Sequence, residues 1–178
     1  MEKSKTQLRG NVLEVAENTY TKKFAPNSNS LILAPYEDKN VDVVCDLTAT
    51  VSPAYHQIAD CFICVQTLNF IYEYKEALKN IKKLMKPNGT ILITVASVCQ
   101  ISEFDAQRWG DYFRFTPQSF TKLLNESFPQ SKISIESFGN IRAATGLLHG
   151  LVVEDINTND LLYKDPIYPV VLTAVVQL

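Results

Sequence analysis

Short apolar segments alternate with polar or amphipathic stretches along most of the chain. The alternation is clearest over residues 62–95, where FICVQTL is a buried strand, YKEALKNIKKLM an amphipathic helix, KPNG a turn and TILITV a second buried strand. In the helix, predicted over 74–85, Ala77 and Ile81 fall on one face and the lysines on the other. A strand, a helix and a further buried strand predict one βαβ unit of a parallel sheet.

The same periodicities predict seven strands and three further helical segments. The strands cover residues 11–15, 30–34, 41–45, 58–65, 90–95, 132–138 and 170–176. A short helix is predicted over 20–24, another from Pro117 with Thr116 as its N-cap, and a short helix or packed loop over 143–153. Strands that alternate with helices indicate an α/β, doubly wound sheet, and no repeat or linker divides the predicted single domain, 1–178.

Charge and composition exclude several classes of protein. The net charge is −2 and no segment is strongly basic, so we expect no nucleic-acid partner. No apolar run reaches the roughly 18 residues that a membrane span needs, and the polar N-terminal segment is not a signal peptide. These features predict a cytoplasmic protein without membrane contact.

The four cysteines predict neither a disulfide nor a metal site. Cys61 and Cys64 have C-x-x-C spacing but lie in a predicted strand, where residues three apart point to opposite faces. We therefore interpret all four cysteines as reduced core residues. No group of histidines, cysteines and carboxylates has metal-ligand spacing, so no metal is predicted.

Four segments together resemble a class I S-adenosylmethionine (SAM)-dependent methyltransferase. They are GNVLEVAENTYTKKF, VDVVCDL, the strand–helix–KPNG–strand block, and ISEFDAQRWGDYFRFT with FGNIRAATGLLHG and KDPIYPVV. The last group is similar to a bacterial subgroup associated with glycan and glycosyltransferase loci. The resemblance implies a Rossmann-like, mostly parallel seven-stranded sheet with a reduced N-terminal helical cap.

The resemblance also implies SAM as cofactor and assigns residues to it. Glu14 is implied beneath the methionine end of SAM, Asp46 at the adenine, and Gln66 and Thr67 near the transferred methyl group. The implied cofactor-binding set is Glu14, Ala16, Glu17, Asn18, Tyr20, Asp46, Leu47, Gln66 and Thr67.

Two features depart from the family pattern. Ala16, Asn18 and Tyr20 stand where the family has three glycines, and we expect the Ala16 methyl group and the Tyr20 ring to crowd the cofactor. The second strand ends in Leu33-Ala34-Pro35, without the acid that binds ribose.

Each candidate residue also has a structural interpretation. The structural alternative for Glu14 is a carboxylate that accepts hydrogen bonds from the following backbone amides, and for Asp46 a turn initiator, because buried or strand-end carboxylates need such partners. The weak catalytic candidates are Tyr112 and Arg114, in a loop cluster with Trp109, and His149 as a general base. The structural alternatives are that Trp109 and Tyr112 cover the edge of the sheet, that Arg114 is a structural tie, and that His149 is a packing residue.

Two hypotheses of function remain open. The first is a SAM-dependent methyltransferase that acts on a small-molecule or glycan acceptor. The second is a catalytically inactive, methyltransferase-like protein with a structural or regulatory role, as a homo-oligomer or beside a related enzyme. A dinucleotide-dependent oxidoreductase is disfavoured, because AENTY follows the first strand where that class has G-x-G-x-x-G.

Overall fold

The computed structural model describes residues 1–178, and its seven strands form one sheet. The strands are β1 (Asn11–Val15), β2 (Asn29–Ala34), β3 (Val43–Val44), β4 (Ala59–Val65), β5 (Met85–Ala96), β6 (Lys132–Phe138) and β7 (Val171–Gln177). Their order is β3-β2-β1-β4-β5-β7-β6, and only β7 runs antiparallel to its neighbours. The predicted doubly wound, mostly parallel sheet is confirmed. The chain order reverses between β1 and β4, which are paired.

Six α-helices accompany the sheet. They are α1 (Thr19–Phe24), α2 (Tyr74–Leu84), α3 (Glu103–Ala106), α4 (Pro117–Ser127), α5 (Ile141–Leu148) and α6 (Thr158–Leu162), and Glu2–Gln7 form a short 3-10 helix before β1. The Thr116 side chain accepts a hydrogen bond from the Ser119 N–H, so the predicted N-cap of α4 is present. No helix is long and apolar enough to cross the hydrocarbon core of a bilayer.

The core lies on both faces of the sheet, as the continuous apolar strands predict. In β4, Phe62 and Cys64 pack into the larger cluster with α2 and α4, whereas Cys61 and Ile63 pack into the smaller cluster on the other face. The two thiols therefore point in opposite directions, and burial raises the pKa of each to about 12. The prediction of four core cysteines is wrong for Cys99, which is only partly buried.

The third strand is shorter than the predicted 41–45. Only Val43 and Val44 pair with β2. One residue earlier, the Asp42 carboxylate accepts the Ile32 N–H at 2.8 Å, and the Asp42 N–H donates to the Ile32 carbonyl. The Asp42 side chain thus accepts the hydrogen bond that a backbone carbonyl would accept in a regular strand, and the pairing of β3 with β2 ends here.

The KPNG segment is a bulge inside β5, where a turn before the strand was predicted. Met85 pairs with Ala59 and Thr90 with Cys61, so residues 86–89 lie opposite Asp60 alone. The Lys86 ammonium donates to the Asp60 carboxylate at 2.8 Å. Because α2 ends at Leu84, the chain passes directly from helix to strand.

The predicted helix or packed loop at 143–153 is a helix in its first half. Helix α5 begins at Ile141, because the Asn140 side chain accepts the N–H groups of Arg142 and Ala143. The apolar side chains at 151–153 are exposed, so the second half is not packed as predicted.

Candidate functional site

The carboxyl ends of β1, β2 and β4 border a cavity of about 650 Å³. It lies at the point where the chain order reverses, the usual ligand position in doubly wound sheets. Its polar lining residues are Glu17, Asp46, Thr48, Gln66, Thr67, Glu73 and Asp105. Its aromatic lining residues are Tyr36, Phe70, Tyr72, Trp109 and Tyr112. The cavity volume is within the range of about 300–1,000 Å³ typical of small-molecule sites.

Two left-handed residues turn the chain away from the sheet beside the cavity. Ala16 has φ 69° and Gln66 has φ 50°. The Ala16 N–H donates to the Leu33 carbonyl and the Gln66 N–H to the Thr94 carbonyl, so each turn begins at the last sheet hydrogen bond. Ala16 occupies the first glycine position of the methyltransferase pattern, and it has the left-handed backbone conformation that glycine adopts most readily.

The Ala16→Gly variant should be more stable than the parent chain, by about 0.5–1 kcal/mol. A left-handed backbone costs a side-chain-bearing residue about 1–2 kcal/mol, which exceeds the entropy that glycine loses on folding. Urea unfolding of this variant and of Ala25→Gly would measure the effect. Ala25 has φ −145°, so its substitution should lower the stability. A loss of stability in Ala16→Gly equal to that in Ala25→Gly would contradict the argument.

Glu14 lies beneath the loop that follows β1 and does not line the cavity. Only 2% of its surface is exposed. Its carboxylate accepts the N–H groups of Tyr20 and Thr21, each at 3.0 Å, and the Thr21 hydroxyl at 2.9 Å. All three hydrogen bonds of the Glu14 carboxylate are therefore to residues in the first turn of α1, and this agrees with the structural interpretation of Glu14.

Asn18 and Tyr20 also lie outside the cavity lining. Asn18 is the N-cap residue of α1, and Tyr20 packs against the smaller core cluster. The Tyr20 ring, which was expected to crowd the cofactor, does not border the cavity, because α1 carries this ring to the face of the sheet. The Ala16 side chain does border the cavity, and it leaves the cavity open.

Asp46 and Leu47 line the cavity from the loop after β3. Asp46 Oδ1 accepts the N–H and the hydroxyl of Thr48, each at 2.8 Å, whereas Oδ2 has no partner in the chain. The buried Asn80 of α2 donates to the Leu47 and Ala49 carbonyls at 2.9 and 2.7 Å. Asp46 is thus both a turn initiator and a wall residue with one oxygen available to a ligand.

Gln66 and Thr67 follow β4 and line the cavity beside Ala16. The Gln66 side-chain amide donates to Thr94 Oγ1 at 3.2 Å, and the Thr67 hydroxyl donates to the Val65 carbonyl at 3.1 Å. The neighbouring Asn69 is 3% exposed, and its Oδ1 is buried without a hydrogen-bond partner. Side-chain hydrogen bonds therefore hold Gln66 and Thr67 in place in the wall after β4.

The connection from β5 to α4 crosses the mouth of the cavity, and we call residues 102–114 the roof. Trp109 stacks on Tyr36, which follows β2, with ring centroids 6.2 Å apart. Tyr112 meets Tyr72, which follows β4, at 5.4 Å. The roof is thus attached on both sides of the cavity.

The Arg114 guanidinium fixes the base of the roof. It forms a bidentate pair with the Asp111 carboxylate and donates to the carbonyls of Cys99, Gln100 and Phe113. The Asp111 side chain is only 2% exposed. The hydrogen bond from Arg114 lowers the pKa of Asp111, which burial alone would raise.

Residues 6–93 match a family model described as a methyltransferase domain. The match covers slightly less than half of the chain, and it makes this segment similar to methyltransferase domains. The matched region contains β1 to β4, α2 and most of β5, so it includes the strand ends at the cavity but not the roof. No curated protein matches this chain in sequence.

Solved structures of similar fold are methyltransferases with low sequence identity. A SAM-dependent methyltransferase from Mesorhizobium loti has a TM-score of 0.59 and 12% identity, over 97% of this chain and 93% of that one. The N-methyltransferase NodS from Bradyrhizobium japonicum, solved with S-adenosylhomocysteine (SAH), has a TM-score of 0.56 and 12% identity over 99% and 84%. At these identities the likeness establishes the shared fold.

The three catalytic candidates predicted from the sequence occupy different places. Tyr112 lines the cavity from the roof. Arg114 does not line it, and its bonds are those of a structural tie. His149 is exposed at the end of α5 and borders a separate cleft of about 360 Å³ with Arg142 and Asp160. The structure therefore does not bring the three residues together.

Tyr36, Tyr72, Glu73 and Asp105 line the cavity but are not among the site residues predicted from the sequence. Tyr36 lies in the segment after β2 that the strand-end rule marks for inspection, so a signal for it existed. Tyr72 and Glu73 precede α2 and are brought to the cavity by the 3-10 turn Leu68–Phe70. Asp105 reaches it only because the roof folds back, which no local pattern indicates.

Proposed function

We propose that this chain is a SAM-dependent methyltransferase that binds SAM in the cavity between β1 and β4 and methylates a small-molecule or glycan acceptor, with residues 1–178 acting as one domain. The observation that carries the proposal is the open cavity beside the left-handed Ala16. A filled cavity at this place would have favoured an inactive protein. The departures from the family pattern leave a space of ligand size at the position where the fold binds ligands.

The lining residues fit such a cofactor. Ala16 and Glu17 border its position after β1, Asp46 offers the unpartnered Oδ2 for an amino group or hydroxyl, and Leu47 adds an apolar contact. When bound, SAM supplies a methyl group on a positively charged sulfur. Gln66, Thr67 and the roof would align the acceptor and exclude water, which is the main contribution that a protein makes to such a transfer.

The missing acid after β2 favours a second candidate, an inactive methyltransferase-like protein with a structural or regulatory role. Pro35 and Tyr36 form this part of the wall, and the exposed Glu37 and Asp38 do not line the cavity. One structural relative, with a TM-score of 0.58, is in a complex with the Trm112 methyltransferase activator of Haloferax volcanii. The partner here would be a second copy or a related enzyme, and the cytoplasm remains the predicted location.

Calorimetric titration with SAM and SAH decides between the two candidates. We expect heat of binding with both ligands, and for Asp46→Ala about a tenfold weaker affinity, since one ligand hydrogen bond of about 1.4 kcal/mol is lost. Asp38→Ala is the matched control, because Asp38 bonds only within its own loop. No heat and no thermal stabilisation at millimolar SAH would favour the inactive protein. Unchanged affinity in Asp46→Ala would refute the role of Asp46.

A further inference from the structure

The cavity of this methyltransferase is lined by negative charge and by no positive charge. Four carboxylates, those of Glu17, Asp46, Glu73 and Asp105, line it together with no lysine, arginine or histidine. None of the four belongs to a salt bridge of the chain. Their charge is therefore not compensated within the protein, and a walled cavity strengthens its effect on a ligand.

The four carboxylates lie on two different walls. Glu17 and Asp46 follow β1 and β3, on the side proposed for SAM, whereas Glu73 follows β4 and Asp105 belongs to the roof. The Glu73 carboxylate has no hydrogen bond within the chain. Asp105 Oδ2 accepts the Ser102 hydroxyl at 2.6 Å, and Oδ1 has no partner. Two carboxylates thus remain for a second ligand, beside the proposed cofactor position.

Exposed aromatic rings stand beside these two carboxylates. Tyr72, Tyr112 and Trp109 are 63%, 51% and 47% exposed, which is unusual for rings that line a cavity. The Tyr72 and Tyr112 ring planes meet at 70°. No lysine or arginine of the chain lies over any of the three rings, and Arg108 lies instead over Phe104. Trp109 stacks on Tyr36 and Tyr72 stacks on Phe113, so each of these rings has one face left for a ligand. Aromatic faces and carboxylates are the groups that bind organic ammonium ions.

Asn69 connects the wall after β4 to the roof, although it does not itself line the cavity. Asn69 lies between the lining residues Thr67 and Phe70, and its Oδ1 has no partner. The Asn69 carbonyl accepts the N–H groups of Tyr112 and Phe113, so this residue joins the wall after β4 to the roof.

We propose that the methyl acceptor is an amine that binds as its organic ammonium ion, held by Tyr72, Tyr112 and Trp109 and by the carboxylates of Glu73 and Asp105. For transfer, one ammonium proton leaves to solvent past these carboxylates, and the freed nitrogen lone pair would form the new N–CH3 bond. The electron pair of the broken S–CH3 bond would stay on sulfur, which gives SAH. This inference rests on the proposed function and narrows its acceptor to one chemical class. Neutral glycans and anionic acceptors would meet the same rings without the electrostatic gain.

Three probes that share one hydrocarbon and differ in the head group test the proposal. They are 3,3-dimethylbutylammonium, 3,3-dimethylbutan-1-ol and 3,3-dimethylbutanoate, titrated by calorimetry with and without SAH. Trp109, the single tryptophan of the chain, gives a second readout through its fluorescence. We expect the ammonium probe to bind about tenfold more tightly than the alcohol, and the carboxylate more weakly than either. Equal affinity of the ammonium and alcohol probes would overturn the inference.

Charge-neutral variants test whether Glu73 and Asp105 cause the preference for the ammonium probe over the alcohol probe. In the double variant Glu73→Gln with Asp105→Asn, the preference should fall to about twofold or less, which leaves only the contribution of the rings. Glu103→Gln is the matched control, because Glu103 lies on α3 but outside the lining. A preference that persists in the double variant, or that also disappears in the control, would refute the assignment. SAH binding, measured in the same titrations, tests the proposed function independently of the head-group preference.

Discussion

Replacement of Glu14 by alanine should lower the free energy of unfolding by about 3 kcal/mol. The carboxylate accepts three hydrogen bonds from Tyr20 and Thr21 and is almost fully buried. Without it, two backbone N–H groups in the first turn of α1 lose their partner away from water, and each unsatisfied buried group costs about 1–3 kcal/mol. Urea unfolding followed by circular dichroism measures the loss.

Two companion variants separate stability from ligand binding. Glu17→Ala should change stability by less than about 0.5 kcal/mol, because Glu17 is exposed and its side chain has no bond in the chain. Glu14→Gln keeps an oxygen acceptor, so we expect an intermediate loss of stability and an affinity for SAH within about threefold of the parent. If folded Glu14→Gln loses SAH affinity a hundredfold, Glu14 belongs to the cofactor site and the structural interpretation fails.

Replacement of Arg114 by alanine should be comparably destabilising, by about 3 kcal/mol at pH 7. Removal of one partner of this partly buried ion pair leaves the Asp111 carboxylate, whose side chain is 2% exposed, without its compensating charge. The bonds to the Cys99 and Gln100 carbonyls are lost too, so the roof should loosen. Arg108→Ala, in the same segment but exposed, is the control. Chemical denaturation of both variants gives the comparison.

The loss in Arg114→Ala should also depend on pH. The hydrogen bond from Arg114 lowers the pKa of Asp111 in the folded chain. A lowered pKa contributes stability that is complete above the unfolded-state pKa of about 4 and disappears as the pH falls through the folded-state value. The difference between parent and Arg114→Ala should therefore be largest at neutral pH and shrink below about pH 4. A difference that is constant down to pH 3 would contradict this linkage, and adding Asp111→Asn should restore part of the stability at pH 7.

These two residues show why the candidate site was only partly predictable. Both were selected from the sequence as functional, since a carboxylate in an apolar strand and an arginine among aromatic residues are uncommon. The partners of Glu14 follow it by six or seven residues, and the partners of Arg114 precede it by one to fifteen residues. The choice between structural and ligand-binding roles depends on where loops place these partners, and helical or strand periodicity carries no information about loops.

The sequence by itself determined the architecture of this protein. Continuous apolar runs in β4 and β5 with an amphipathic α2 between them specify a βαβ unit, because both strand faces must be buried. Thr116 and Pro117 fix the start of α4 by local hydrogen bonding and a constrained φ angle. The tertiary structure alone decided the details that cross the chain: the bulge at 86–89 that faces Asp60, the hold of Asn80 on the Leu47 loop, and the contact of Trp109 with Tyr36. These contacts join residues far apart in sequence, so their geometry exists only once the sheet has been assembled.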